Sequence, residues 1–158
     1  MSRFEIIEAR PFHCGAIVRR LREEHRAAIA GLGINSHRSI RTNFDDSTFR
    51  KAWLIDGRLA GLGGVTGPAL SSDGLIWLAL TEEASRHPFA VAREARRQMD
   101  EIMTVKRTLY TCLIPEDKTA LRFAMRLGFE IVNSTPIPVG NGRVISVRYQ
   151  KIPISEAA

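Results

Sequence analysis

The sequence predicts a mixed α/β (α+β) domain with a central sheet of about seven strands and helices on both faces, in the order β-α-α-β-β-β-α-β-α-β-β. Three observations carry that expectation. Strand-like and helix-like periodicities alternate along all 158 residues, with no repeat, low-complexity tract or linker. Asp56-Gly57, between two strand-like runs, is a strong hairpin signal. Two strand–helix–strand crossovers follow it, so the sheet is mixed rather than purely antiparallel. The length predicts one domain over 1–158. A chain near ~150 residues buries roughly 70% of its unfolded surface, enough for a real core.

Phe4 to Arg10 alternates and reads as the first strand. Pro11 suits the first turn of a helix. Ile17, Val18, Leu21, His25, Ala28 and Ile29 then recur at three and four, an amphipathic helix with a break near Glu24, ended by Gly31 and Gly33. Ile34 to Asn43 reads as a short helical turn or a loop. Phe49–Asp56 and Arg58–Val65 are the hairpin strands, and Gly61, Gly63 and Gly64 imply bulges or close backbone approach. The continuous apolar run Leu75 to Leu80 reads as a central strand. Pro88 to Lys106 is the clearest helix, with an apolar face of Phe89, Ala92, Ala95, Met99, Ile102 and Met103. Thr108–Leu113 is a strand, Pro115–Leu127 a helix stopped by Gly128, and Phe129–Asn133 a strand. Pro136–Gly142 reads as a turn, Arg143–Lys151 as the last strand, and Ser155–Ala158 as a frayed tail.

Composition narrows the function classes. Hydrophobic residues make up 44% and charged residues 25%, ordinary globular values. The longest apolar run falls far short of the ~20 residues of a membrane span, so no membrane partner is expected. The charged, alternating start is unlike a signal peptide. Two cysteines, Cys14 and Cys112, do not make a disulfide scaffold, and a reduced, cytoplasmic setting is the default. The net charge of +6 suits either an anionic partner or plain solubility. Arg19, Arg20, Arg22, Arg26, Arg38 and Arg41 form a basic region. Glu23 and Glu24 interrupt it and no aromatic stacking set accompanies it, so a nucleic-acid partner is not expected. Gly61 to Gly67 has the wrong spacing for a dinucleotide loop. His13, Cys14, His25 and His37 have no metal-ligand spacing, so no metal is expected. His13 and His25 read as packing or surface residues.

The strongest local signal is Asp117-Lys118-Thr119-Ala120-Leu121-Arg122-Phe123-Ala124-Met125-Arg126-Leu127-Gly128-Phe129. With the element order, it resembles the GNAT N-acetyltransferase superfamily, whose late helix ends in a stretch like Asn-x-x-Ala-x-x-x-Tyr-x-x-x-Gly-Phe. Ala120, Gly128 and Phe129 match. The order of elements extends the resemblance over nearly the whole chain.

That resemblance implies acetyl-coenzyme A as co-substrate, a small-molecule or protein amine as acceptor, and direct attack within a ternary complex. It implies a cofactor held along the backbone of Leu78, Ala79 and Leu80, and beside Asp117, Ala120 and Phe123. The pyrophosphate would lie at the start of the helix that Pro88 opens, at Arg86, His87, Phe89 and Ala90. A helix N-terminus attracts anions through free N–H groups and its dipole. The family's loop there is Gln/Arg-x-x-Gly-x-Gly/Ala. Arg86 matches, but Phe89 and Val91 replace the small residues and Pro88 lacks an N–H. The family's acid, a tyrosine, falls on Ala124, which cannot donate a proton. Tyr110, Tyr149 or Cys112 are the candidates to replace it, Tyr110 first. Glu82 or Glu83 is the candidate general base, with His87 a further one. A homodimer is the common family state.

The segment from Leu75 to Ile131 also resembles a divergent GNAT branch of tailed phages and prophages. Trp77-Leu78-Ala79-Leu80-Thr81, Phe89, Arg96-Arg97 and Asp100 carry that likeness, along with the tyrosine-free helix before Gly128-Phe129. It implies an alternative, a GNAT-fold protein that binds a partner without catalysis.

Overall fold

The computed structural model describes residues 1–150, apart from the side chains of Asn133 and Ser134. The chain runs β1 (Phe4–Glu8), α1 (Pro11–Arg19), α2 (Glu23–Gly31), α3 (Ser36–Asp46), β2 (Ser47–Ile55), β3 (Arg58–Thr66), β4 (Asp73–Leu80) and α4 (Glu82–Ser85). It continues with α5 (Pro88–Ile102), β5 (Thr108–Leu113), α6 (Lys118–Leu127), β6 (Glu130–Val139) and β7 (Gly142–Gln150). The strands form one sheet in the order β1-β2-β3-β4-β5-β7-β6. Every pairing is antiparallel except that of β4 with β5. The expected tail at Ser155–Ala158 and the end of the last strand at Lys151 lie outside the described residues.

Local chemistry explains the boundaries. Asp56 and Gly57 both take positive φ, 51° and 77°, the backbone of the two-residue turn that folds β3 onto β2. Pro11 and Pro88 open α1 and α5, where a missing N–H costs nothing. Asp117 caps α6 by accepting from the Ala120 N–H at 3.1 Å, and Gly128 ends that helix at φ 101°. At Gly64 the sheet needs a bare backbone. Trp77 Nε1–H donates to Ser47 Oγ across that strand at 2.8 Å, and a Cβ on Gly64 would collide with the Phe49 carbonyl.

Helices cover both faces. Cys14, Ile17, Ile29, Ile40 and Phe44 from α1–α3 pack with Ala52, Leu62 and Ala79 on one side. Val91, Ala95, Met99 and Ile102 of α5 and Ala124 of α6 pack on the other, against Trp53, Ile55, Leu109 and Val147. A register shift between Trp53 and Leu54, opposite Gly61 and Leu59, leaves Ala60 as the extra residue of a bulge. The bulge explains why Leu59 and Leu62 both serve the first face while Ala60 serves the second.

Several expectations need correction. Of the two readings of 34–43, short helical turn or loop, the helical one holds but is too short: α3 is an eleven-residue helix, capped by Asn35 accepting from the Arg38 N–H. The first helical stretch breaks at 20–22 rather than near Glu24, because Leu21 leaves the helix to bridge Thr81 beyond the end of β4. A four-residue helix, α4, stands between β4 and α5. Phe89 is not on the apolar face of α5. It is 88% exposed, and Val91, two residues on and so on the opposite face of the helix, takes the inward position with Ala95, Met99 and Ile102. Pro136 and Pro138 do not form a turn. They lie within β6, the sheet edge, where a missing N–H spoils no inner ladder, and the turn shrinks to Gly140-Asn141.

Lys106 is 4% exposed, and its ammonium donates to the carbonyls of Pro68 (2.9 Å), Ala69 (3.4 Å) and Ser71 (2.7 Å), pinning the β3–β4 loop beside the sheet. Lys106→Met keeps the length of the side chain and leaves those acceptors without their donor. It should destabilise the fold by about 1–3 kcal/mol in urea unfolding and speed amide exchange across 67–73. Unchanged stability and exchange would contradict the pinning role.

Candidate functional site

The opening lies at the centre of the sheet. β4 and β5 pair in parallel over three positions, Asp73 with Thr108 to Leu75 with Tyr110, and then part. Beyond Leu75 no β5 residue pairs with β4. At the far end the Leu80 carbonyl accepts from the Arg22 N–H at 3.1 Å, so the α1–α2 connection closes that end of the gap. Ile76, Trp77, Leu78 and Leu80 are therefore only half-buried although they sit mid-sheet. A continuously apolar central strand ought to be covered on all sides. Here one edge of it lines a cleft of about 770 Å³. Pockets that enclose small molecules run about 300–1,000 Å³.

The cleft passes through the sheet and has two chemically different halves. On one side stand Val91, Ala92 and Ala95 of α5 and Ala120, Phe123 and Ala124 of α6. On the other stand His25 and Ile29 of α2, Leu32, and Ile40 and Asn43 of α3. Two buried polar atoms on its walls have no hydrogen-bond partner, Nε of Arg22 and Oε1 of Gln98. Buried polar atoms in native folds are almost always satisfied, so such orphans mark where a ligand or water belongs.

A charged cluster joins the halves. The Arg22 guanidinium and Asp117 carboxylate meet at 3.2 Å, with side chains 9% and 5% exposed. His25 Nδ1 lies 3.9 Å from the same Asp117 Oδ2, an electrostatic contact longer than a hydrogen bond. Glu24 approaches Arg22 at 3.9 Å and accepts from the Thr119 hydroxyl at 2.6 Å and its N–H at 3.3 Å. Those two bonds hold the Glu24 carboxyl below its ordinary pKa. Burial is the main cause that holds the His25 imidazole below its ordinary value; Asp117 opposes the shift and Arg22 assists it. The imidazole is therefore neutral at pH 7, with a lone pair to offer.

The residues expected from the sequence divide into three sets. Leu78, Ala79, Leu80, Asp117, Ala120 and Phe123 come together as walls of the cleft. Arg86, His87, Phe89 and Ala90 gather at the start of α5, outside those walls. There Arg86 and Arg58 approach Glu83 at 3.3 and 3.8 Å and His87 approaches it at 3.7 Å. The first helical bond of α5 is Val91 N–H to His87 C=O, so the Phe89 and Ala90 amides have no carbonyl one turn back. The third set lies away from the walls. Glu82 accepts from the Glu23 N–H at 2.9 Å and so ties α4 to the start of α2. Glu83 is held by the basic groups just named. Tyr110 stands at the apex where β4 and β5 part. Cys112 does line the cleft, and burial pushes its thiol pKa up.

Two cleft residues escaped the sequence reading. His25 occupies the apolar stripe of its helix with Ile29, and a histidine in that stripe was the available signal. Arg22 looked like surface charge. No periodicity reveals that its side chain turns inward to Asp117, 95 residues away.

No family model matches the sequence, and no curated protein matches it. Solved structures do. A GNAT-family acetyltransferase from Bacillus anthracis superposes with a TM-score of 0.66 at 12% identity, covering 94% of this chain and 95% of that one. A GNAT-family acetyltransferase from Streptococcus pneumoniae gives 0.62 at 14% identity, over 94% and 99%. The protein yncA of Salmonella typhimurium, solved with its cofactor acetyl-CoA, gives 0.62 at 13%, over 93% of each chain. At such identities the likeness establishes the fold: a mixed sheet with helices, arranged as in the GNAT acetyltransferases.

Burial also holds His13 below its ordinary pKa, and His13 Nδ1 accepts from the Arg10 N–H at 2.8 Å, a bond that needs the unprotonated nitrogen. His13 and His25 both titrate lower in the folded chain than the ordinary 6.5. As pH falls through that value the unfolded chain takes up protons that the folded chain resists, so stability is fully present above it and is lost below it. The midpoint of thermal unfolding should fall between pH 7.5 and 5.5, and His25→Gln should flatten that slope. A midpoint independent of pH over this range would contradict the assignment.

Proposed function

We propose that the chain is an acyl-coenzyme A-dependent N-acyltransferase that moves an acetyl group from acetyl-coenzyme A to a primary amine by direct attack. The observation that supports this most is the strand edge beyond Leu75, apolar, half-buried and free of a β5 partner. An extended amide-bearing arm can lie along it as an added strand and take its backbone bonds. Bound acetyl-coenzyme A would supply an activated acetyl thioester.

The residues present fit such a ligand. Leu78 and Leu80 offer apolar contact, and the orphaned Gln98 Oε1 offers an acceptor for an amide N–H. The Leu80 carbonyl is already bonded to Arg22, and Trp77 and Ala79 turn their backbone groups to β3, so the available groups are the Ile76 carbonyl and the backbone of Leu78. Ala120 and Phe123 face the arm from α6. At the start of α5 the Phe89 and Ala90 amides, with Arg86 and Arg58, would take the phosphates. Phe89 does not crowd that place, because its ring is turned to solvent. In this reading Glu82 and Glu83 hold α4 between α2 and α5 instead of serving as the base. Ala124 leaves α6 without an acid.

A second reading, a GNAT-fold binding protein of the phage type, draws on Ala124 and on the missing amide of Pro88. Ligand binding separates the two. Acetyl-coenzyme A at 100 times its Kd should stabilise the fold by about 2.7 kcal/mol, raising Tm by roughly 5–10 °C for a chain of this size. Ala120→Trp, which fills the arm's path, should abolish the rise and leave the circular dichroism spectrum unchanged. No rise at millimolar ligand would favour the binding protein.

A further inference from the structure

The half of the cleft on the α2–α3 side has features that the cofactor does not account for, and they describe an acceptor. Arg22 and His25 meet the same oxygen, Oδ2 of Asp117, at 3.2 and 3.9 Å, so the two side chains are neighbours. Both line the cleft. Arg22 keeps one buried donor, Nε–H, without a partner, although its guanidinium is nine-tenths buried. Arg22 lines the cleft, and an oxygen on a ligand there supplies the partner that its Nε–H lacks. Beyond the pair the wall is mainly apolar, formed by Ile29, Leu32 and Ile40 with Trp77 of β4, and Ser39 and Asn43 of α3 are its polar members. That wall suits an aliphatic or aromatic group and offers nothing to a polycation.

Resting on the acyl-transfer reading, we propose that the acceptor is an α-amino acid or amino-acid amide with an apolar side chain, its nitrogen delivered to His25 and its carbonyl oxygen to Nε of Arg22. The nitrogen of an α-amino acid and its carbonyl oxygen, two carbons along the chain, lie about one hydrogen-bond length apart, which suits two adjacent side chains held by one carboxylate.

The charged groups that act on His25 are Arg22, at the start of α2, and Asp117, at the cap of α6. Asp117 stands at Nδ1, which leaves Nε2 for the acceptor, and burial keeps the ring unprotonated at pH 7. The ammonium of the acceptor gives one proton to His25. Its nitrogen then forms the bond to the acetyl carbon as the carbon–sulfur bond breaks. The second nitrogen proton goes to the departing sulfur, and His25 passes its proton to solvent. The pair Arg22–Asp117 is already neutral, so the uncharged carbonyl of an amide suits the Nε–H as acceptor at least as well as a carboxylate does.

The test uses the full chain and a matched set of probes: leucine, leucine amide and isoamylamine, which is leucine without its carboxylate. Release of coenzyme A thiol is followed with acetyl-coenzyme A, and coenzyme A binding is measured separately by calorimetry. The wild type should favour leucine or its amide over isoamylamine by at least tenfold in kcat/KM. Arg22→Lys keeps the charge opposite Asp117 and removes Nε–H, so it should bind coenzyme A normally and lose that preference. His25→Gln should also bind coenzyme A normally, lower kcat by about a hundredfold or more for every probe, and lose the acid limb of the pH–rate profile. A preference for isoamylamine, no thiol release from any probe despite coenzyme A binding, or an unaltered pH profile in His25→Gln would each overturn the proposal and leave the cofactor reading standing. Failure of the wild type to bind coenzyme A would overturn that reading, and this proposal with it.

Discussion

The ion pair between Arg22 and Asp117 is the constraint on which the rest of the site depends. It ties the α1–α2 connection to the cap of α6 across the place where β4 and β5 separate. Two charges this deeply buried have lost most of their water, and only their mutual attraction and hydrogen bonds offset that loss. Each partner therefore holds the other in place. Leaving either alone in such a setting typically costs about 3–5 kcal/mol. Asp117 also accepts from the Ala120 N–H, so the same carboxylate fixes the first turn of α6. The Arg22 backbone bonds the Leu80 carbonyl, so the same residue fixes the end of β4.

The separation of the strands then has a physical explanation. Over three positions β4 and β5 satisfy each other in parallel. Beyond them α5 and α6 lean in on one face, with Val91, Ala95, Phe123 and Ala124, while α2 and α3 lean in on the other. The small side chains Ala79, Ala92, Ala95, Ala120 and Ala124 along the gap leave space that larger ones would fill. An exposed strand edge invites a further strand, and an extended, amide-bearing ligand can take that place.

Much of this was legible in the sequence, and the reasons for the rest are specific. The Asp56-Gly57 turn, the two proline helix starts and the Gly128 stop are short-range chemistry, and they read directly. The apolar run at Leu75–Leu80 correctly marked the central strand, but nothing local says that one of its edges is open. The helix α3 was obscured because only Ile40 and Phe44 of its eleven residues are buried, too thin a stripe for periodicity to register. Phe89 was misplaced because an aromatic at a helix start looks like core, whereas Val91 holds the inward phase. Pro136 and Pro138 read as turn residues because the sequence does not reveal that β6 is a sheet edge. Of the residues that line the cleft, the α6 motif pointed to Asp117, Ala120 and Phe123. Arg22 and His25 stayed hidden, since their significance arises from a contact across 95 residues.

Amide hydrogen exchange with and without coenzyme A tests the central claim most directly, namely that the open edge of β4 is a ligand site. Unpaired strand amides exchange readily, and an added strand protects them. The account predicts new protection at Leu78, whose amide alternates with those bonded to β3 and so faces the open edge, and at the first turn of α5, with the outer strands β1 and β6 unchanged. Protection confined to other elements, or none at saturating ligand, would contradict it.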